Sequence, residues 1–578
     1  MMPFLRLGSP WTRSNKGFLS GWLIGLLALA WLLPGLVGHD PWKPDEAYSM
    51  GLILHILESG DWVVPTLGGE PFMEKPPLYY LTAAGLARAL SAFLPLHDGA
   101  RLTSGLYMGI VLLCMAMTGR ELYGKGNGRI SLVILMGCIG LVPLAHQMIT
   151  DTALLAGFGT ALYGLTLSRR RPIPGGLLLG LGVGMGFLAK GLLAPLVMGC
   201  VASLLPLFPE WRNRRFALSL TIALLAALPW LTIWPITLYH RHPDLFNVWF
   251  WENNYGRFFG SSALATSQEP GYYLKALLWF TGPALPLALL SLWRYGNRGK
   301  GNSPADPCPP WRLPVVMAGV LLVTLFASAA TRTLYILPLL LPVSLLATPA
   351  IAGRDPSLLP PPHRYWGKVL FTLFSGLGLL IWLVWLLAIG RVFASGHWDI
   401  GGFAESFVLP EPEGGLFHGP TFALAVAASV AWILGRGHIG RSAPHLMTGW
   451  TGGVALVWLL AMTLWLPVID YGKSYRTMVT EIRKALPLST PCLASRGLGE
   501  PQRAMLHYFG HILTRRVEQG GAAQECNLLL LQTTIGEKID PPINGPVLWQ
   551  GGRPGDTKER YFLYPYRPQE TSFPPARE

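Results

Sequence analysis

Long apolar blocks separated by short polar punctuation make up most of the chain. Runs of about 20 residues with few charges recur from residue 17 onward, each long enough as a helix to cross a hydrocarbon core of about 30 Å. The pattern predicts spans near residues 17–37, 101–119, 128–144, 150–167, 175–189, 190–208 and 217–238. More follow near 273–293, 314–330, 333–352, 366–391, 419–435 and 446–468. The expected architecture is a polytopic α-helical membrane protein of about 13 transmembrane helices.

Two segments break the rhythm. Residues 38–100 are too long for a linker, and within them Asp45–Glu58 and Pro77–Leu94 are apolar on one face, as in helices lying along an interface. Residues 470–578 turn polar. Helical patterns at Lys473–Leu486 and Glu500–Phe509 precede strand-like runs at Asn527–Gln532, Pro546–Trp549 and Arg560–Tyr564. The organisation is therefore a membrane domain, 1–469, and a small soluble α/β domain, 470–578. Residues 392–418 read as an irregular loop, and no internal repeat is evident.

Charge placement orients the spans. Lys and Arg gather in alternate connections: Arg120, Lys125 and Arg129; Arg169 to Arg171; Arg212, Arg214 and Arg215; Arg294, Arg298, Lys300 and Arg312; Arg354, Arg364 and Lys368; Arg436 and Arg441. With a cytoplasmic N-terminus, about 21 cations fall inside and about five in the short outer loops, as the positive-inside rule asks. An odd number of spans then puts the C-terminal domain outside, in the periplasm if the membrane is a bacterial inner membrane. Gly17–Val37 is long and lacks a small-x-small cleavage site, so it is expected to be a retained helix.

Composition narrows the class. Hydrophobic residues make up 51% and charged residues 13%, against about 25% charged in soluble proteins, which excludes soluble, disordered and nucleic-acid-binding classes. The net charge of +14 is mostly the inner-loop bias just described. Of six cysteines, only Cys492 and Cys526 lie where a disulfide could persist, and spacing alone does not pair them.

Candidate chemistry collects on the outer face. Lys43-Pro44-Asp45-Glu46 opens a helix directly after the first span. Acidic capping of a helix dipole and a general base at the interface both account for it. In Glu74-Lys75-Pro76-Pro77 two prolines stiffen the backbone beside an acid and a cation. Lys75 could neutralise a lipid phosphate or snorkel to head groups. Asp151, Lys190, and Arg332 with Tyr335 sit at outer ends of spans, where ionisable groups are costly. Each also has a structural reading: Asp151 as a cap, Lys190 at a helix break, Arg332 in a turn. The loop 239–273 carries Trp249, Phe250, Trp251, Tyr255 and Phe258, an interface belt around Arg257, whose guanidinium suits phosphate. His240 and His242 have no clear third ligand. No Walker loop or Cys/His metal box is present, so an activated lipid donor fits better than ATP.

These residues resemble a known family. Asp40-Pro41-Trp42-Lys43-Pro44-Asp45-Glu46-Ala47, Glu58-Ser59-Gly60-Asp61-Trp62, Pro65 and Glu74-Lys75-Pro76-Pro77 are similar to the first outer loop of bacterial 4-amino-4-deoxy-L-arabinose transferases of lipid A. Those are GT-C glycosyltransferases, related to protein O-mannosyltransferases. Met148-Ile149-Thr150-Asp151, Gly186-Phe187-Leu188-Ala189-Lys190-Gly191, Tyr335-Ile336-Leu337-Pro338 and Lys473-Ser474-Tyr475-Arg476 extend the likeness over nearly the whole chain.

The resemblance implies a GT-C fold and transfer of a sugar from an undecaprenyl-phosphate-linked donor to lipid A or a related lipid acceptor, at the periplasmic face of the inner membrane. It implies Asp45, with Glu46 beside it, as the catalytic carboxylate, and Lys75, Tyr335, Arg257 and Lys190 around the donor phosphate. Glu74, Asp151 and Ser474 become supporting residues. The chain also departs from the pattern. Tyr48 stands where many relatives have arginine, and Asn254 and Gln268 stand where relatives often have histidine, so the divalent metal and the aminoarabinose specificity of relatives are both left open. A protein acceptor, a lipid or oligosaccharide flippase, and a membrane scaffold are the competing readings. A flippase would be expected to carry charge along a path to both faces, and a scaffold would not need Asp45.

Overall fold

The computed structural model describes residues 20–260, 271–298, 309–329, 331–352, 363–393, 415–487, 492–534 and 546–566. Gln268, Cys308 and most of the 392–418 loop lie outside the described residues.

The apolar blocks fold as helices. In chain order the first are α1 (Gly21–Leu32), α2 (Asp45–Ser59), α3 (Leu78–Leu90), α4 (Leu96–Tyr123), α5 (Asn127–Met136), α6 (Leu141–Ala145), α7 (Thr150–Ser168), α8 (Pro172–Lys190), α9 (Leu193–Leu204) and α10 (Arg214–Arg241). Helices Arg312–Ala327, Leu340–Ala352, His363–Phe393, Gly419–Gly435 and Ala443–Leu464 continue the bundle. Among the described residues, six helices are long and apolar enough to cross a membrane; a seventh span forms if Tyr272–Phe280 and Ala284–Arg294, bent by 94°, count as one. Five other apolar helices are shorter, and the expected 128–144 span is broken into α5 and α6.

Burial sorts these helices. Every residue from Leu340 to Ile351 is buried, so this helix forms the centre of the bundle. The flanks of α10 and of the helix from His363 leave Leu224, Leu225, Leu379, Leu383 and Leu387 exposed, as lipid-facing positions should be. Helices α7 and α8 approach closely along glycines. A Cβ on Gly182 would lie 2.4 Å from the Ala161 nitrogen, and one on Gly164 2.4 Å from that of Leu179. That contact fixes the ends of both helices where Asp151 and Lys190 sit.

The long loop 38–100 differs from expectation. Both amphipathic stretches are helical, but α2 has nine consecutive buried residues, Glu46 to Leu54, where an interfacial helix would bury one face. The reason is a cover: helix Glu500–Gly510 packs on α2 where a Cβ on Gly51 would meet the Ala504 Cβ at 2.7 Å. A short hairpin, β1 (Thr66–Leu67) with β2 (Glu70–Pro71), precedes the Lys75 turn.

The polar C-terminal segment contains a five-stranded mixed sheet. Its strands are β3 (Leu493–Arg496), β4 (Thr514–Arg516), β5 (Leu528–Thr534), β6 (Trp549–Gly551) and β7 (Glu559–Pro565), in the order β4-β3-β5-β7-β6. β3 runs parallel to β4 and β5, and β7 pairs antiparallel with β5 and β6. A Cys492–Cys526 disulfide ties the entry of β3 to that of β5. The strands β3 and β4 escape a sequence reading because they are only four and three residues long.

Candidate active site

The site grows from the start of α2. A helix begins at Asp45 because Asp45 and Glu46 place carboxylates at its positive end, and Gly60, with φ 71°, ends it. Consecutive helical residues point about 100° apart, so the two acids face different surroundings.

Glu46 faces inward and is 2% exposed. Its Oε1 accepts from Arg101 Nε at 2.8 Å and from the Met148 amide at 3.0 Å, and its Oε2 accepts from the Trp42 amide at 3.0 Å. Arg101, fully buried, also donates to Asp98 at 2.9 Å and to the carbonyls of His39 and Asp40. Both Glu46 oxygens are thus engaged inside the protein. Arg101 opens a predicted span, where an arginine is costly, and that cost is the sequence signal that marks it.

Asp45 is half-buried and faces the Lys75 turn. The Tyr48 hydroxyl donates to Asp45 Oδ1 at 2.8 Å and accepts from Lys75 Nζ at 2.5 Å. Tyr48 thereby bridges acid and cation, and Lys75 also lies 4.8 Å above its ring. Burial, and next the ammonium of Lys190, push Lys75 below the usual lysine range; Asp151, Asp45 and Glu74 pull the other way. Burial and Asp45 push the Tyr48 phenol well above the usual tyrosine range, so it stays a neutral donor.

The scattered candidates converge on this turn. Lys190, last residue of α8, donates to Asp151 Oδ1 at 2.5 Å and lies 4.7 Å over the Tyr335 ring. Asp151 stands in the first turn of α7 without capping it, since Ile149 holds the cap position, and Gly191, with φ 73°, ends α8 directly after Lys190, so the helix-break reading of Lys190 coexists with the pairing. Arg257 donates to Glu74 Oε2 at 3.1 Å. Arg257 sits above the usual arginine range: burial lowers it, but Tyr335 and Glu74 outweigh that. Asp45, Glu74, Lys75, Asp151, Lys190, Arg257 and Tyr335 therefore share one electrostatic neighbourhood.

Two predicted residues lie apart from it. Glu46 belongs to the Arg101 network, and the Ser474 hydroxyl donates to Asp40 at 2.6 Å. Asp40 also binds Arg476, and Asp470 accepts from the Asp40 amide at 2.9 Å and Trp42 Nε1 at 2.8 Å. This patch anchors the C-terminal segment to the first outer loop. A further acid enters from that segment: Glu500, raised by burial and by Glu74, lies near enough to feel Lys75 as well. Nothing in the sequence pattern links it to the site.

Among the described residues no three His, Cys, Asp or Glu side chains converge as a metal site. Asn254 instead serves packing: its Oδ1 accepts from the Leu192 amide at 3.3 Å, and a Cβ on Gly191 would fall 2.0 Å from that oxygen.

Comparison with known proteins places the chain among similar membrane transferases. Residues 74–234 match a family described as dolichyl-phosphate-mannose-protein mannosyltransferase. The chain is 30% identical over 352 residues to undecaprenyl phosphate-alpha-4-amino-4-deoxy-L-arabinose arabinosyl transferase 2 of Pseudomonas fluorescens, a match covering 57% of this chain and 59% of that protein. It is similarly 30% identical over 355 residues to the corresponding transferase of Pseudomonas aeruginosa, covering 58% and 60%. The matched region thus spans about three-fifths of the length of these relatives. Among solved structures, ArnT from Cupriavidus metallidurans bound to undecaprenyl phosphate superposes with a TM-score of 0.66 at 18% identity, covering 96% of this chain and 99% of that one. The resemblance read from the first outer loop holds over most of the chain, and the protein has the GT-C fold of that ArnT.

Proposed function

We propose that this chain is a membrane glycosyltransferase that moves a sugar from an undecaprenyl-phosphate-linked donor to a lipid acceptor, lipid A or a related glycolipid, at the periplasmic face of a bacterial inner membrane. All thirteen apolar blocks cross the bilayer in this reading, and residues 470–578 form a periplasmic domain over the site. A pentose is the sugar that the similar transferases' names favour. The observation that carries the reading is the convergence of Lys75, Lys190 and Arg257 with Asp45, Asp151 and Glu74, from segments far apart in sequence.

The chemistry follows from that arrangement. The donor's bond between sugar C1 and phosphate oxygen breaks, its electron pair stays on the phosphate, and an acceptor oxygen attacks C1. Lys75 and Arg257 stabilise the growing negative charge, with Tyr335 and Lys190 completing the phosphate pocket. A phosphate acceptor is already nucleophilic, and Asp45 then orients it; a hydroxyl acceptor needs its proton taken, and Asp45 is the base. Glu46 and Ser474 serve by holding the loop and the C-terminal domain in place.

Lipid mass spectrometry tests this on cells lacking the protein, complemented with wild type or Asp45→Ala at equal membrane abundance. A glycolipid that loses one sugar mass, regains it with wild type and not with the variant is the expected result. Full restoration by Asp45→Ala would remove the catalytic assignment. An unchanged lipid profile would turn attention to a protein acceptor, a transporter or a scaffold.

A further inference from the structure

Helix α3 opens with two tyrosines that are equally buried and differently served. Pro76 and Pro77 close the Lys75 turn, and α3 starts at Leu78, so Tyr79 and Tyr80 stand in its first turn, about 100° apart. Both are 0% exposed, and their rings meet edge to face at 6.0 Å. The Tyr79 hydroxyl shares a hydrogen bond of 2.7 Å with Ser104 Oγ, which in turn donates to the Gln147 carbonyl at 2.6 Å. Among the described residues the Tyr80 hydroxyl has no hydrogen-bond partner.

A buried hydroxyl without a partner costs stability that a phenylalanine would keep. Packing therefore does not explain why this ring carries one. Its surroundings do. Tyr48, which bridges Asp45 and Lys75, feels Tyr80 after Asp45, so the two phenols share one neighbourhood. Burial, and next Glu74 and Asp45, push the Tyr80 phenol well above the usual tyrosine range, with Tyr79 and Asp151 acting in the same direction. Tyr80 thus belongs to the candidate active site, on its carboxylate side, and stays a neutral donor.

The site is divided by charge. Lys75, Lys190 and Arg257 make a cationic side that suits phosphate. Glu74, Asp45 and Asp151, the charges that act most strongly on Tyr80, repel an anion. A neutral polyol fits them, because each of its hydroxyls can accept from the phenol and donate to a carboxylate. In a lipid-phosphate-linked donor, the polyol next to the phosphate is the sugar.

We propose that, with the donor bound, the Tyr80 hydroxyl donates to a hydroxyl of the sugar being transferred, which makes Tyr80 a specificity-determining residue of the sugar subsite. The inference rests on the glycosyltransferase reading.

The test measures binding of two probes to the full chain in nanodiscs: undecaprenyl phosphate, and undecaprenyl phosphate-alpha-4-amino-4-deoxy-L-arabinose, the lipid for which the similar transferases are named. Tyr80→Phe should bind undecaprenyl phosphate as wild type does and the sugar-bearing lipid about tenfold more weakly. It should melt no lower than wild type, because no internal bond is lost. Tyr79→Phe, which breaks the Ser104 bond, should melt lower and bind both lipids as wild type does. A Tyr80→Phe variant that binds both lipids as wild type does, loses equally on both, melts lower or fails to fold overturns the assignment and leaves the glycosyltransferase reading standing. Wild type that binds undecaprenyl phosphate alone overturns it as well. Wild type that binds neither lipid brings down the glycosyltransferase reading, and this inference with it.

Discussion

Asp45 and Glu46 are neighbours in the chain and opposites in the structure. Glu46 is shut inside, with both oxygens bound by Arg101 and two backbone amides. Asp45 is half-open and accepts from the Tyr48 hydroxyl, which in turn accepts from Lys75. A buried carboxylate with both oxygens engaged cannot move to meet a substrate, whereas one tethered by a neutral hydroxyl can. The pair teaches that an acidic doublet at a helix start can divide its labour by rotation alone: one residue builds the frame and the next faces the cavity.

The comparison breaks most visibly under paired substitution. Asp45→Ala should lower sugar transfer about 10²- to 10⁴-fold while leaving thermal unfolding near wild type. Glu46→Ala should do the reverse. Arg101 keeps Asp98 but loses its second carboxylate, and the Met148 and Trp42 amides lose their acceptor, at a cost of about 1.5–3 kcal/mol, so the variant should melt earlier. Transfer assays on purified protein, paired with melting curves, separate the two. Matching losses in both quantities for both variants would erase the distinction.

Lys75 extends the Asp45 side. Lys75→Ala should cost about 10²- to 10³-fold in transfer, as expected for losing one preorganised cation at a leaving phosphate. The pH profile gives a second reading. Burial and Lys190 hold Lys75 below the usual lysine range, so the charged form is lost, and activity falls, at a lower alkaline pH than an ordinary lysine would allow. In Lys75→Arg the guanidinium stays charged, and that alkaline limb should move up. An unchanged limb in the arginine variant would assign it to another group.

A smaller effect tests the bridge. Tyr48→Phe keeps the ring under Lys75 but removes the hydroxyl that joins it to Asp45. Bonds to charged groups are worth about 1.5–3 kcal/mol, so transfer should fall about 10- to 100-fold with little change in melting. From the sequence, Tyr48 registers only as a missing arginine; its role as a neutral link depends on the turn of α2 bringing it beside a lysine 27 residues away.

That limit is general. The apolar helices, the two helices of the first long loop and the longer C-terminal strands β5 and β7 are legible because apolar periodicity is local, whereas β3 and β4 are too short to register. Asp45, Lys75 and Arg257 stood out because charge at a membrane interface is costly to keep without a purpose. The pairing of Asp151 with Lys190, 39 residues apart, and of Ser474 with Asp40, 434 apart, depends on helix packing that no local pattern records. Glu46 could not be told from Asp45 because only the helix rotation separates them.

A second pair of carboxylates sharpens the same lesson at the docking patch. Burial pushes Asp40 upward, but bonds from Arg476 and Ser474 outweigh it and hold the carboxyl below the usual range. Asp470 beside it has no such cation and is pushed up to about 6, first by burial and next by Asp40. The folded value exceeds the ordinary one, so the native state binds a proton that the unfolded chain releases near pH 4. Asp470 therefore contributes stability that is fully present below about pH 4 and is lost as pH rises through about 6. Asp470→Asn keeps an amide oxygen for the Asp40 amide and Trp42 Nε1 and does not titrate. Its melting temperature relative to wild type should rise between pH 4 and pH 7, by the equivalent of about 1–2 kcal/mol. A constant offset between variant and wild type across that range would mean that Asp470 stays ionised throughout, and that Asp40 and Asp470 are not held apart as Asp45 and Glu46 are.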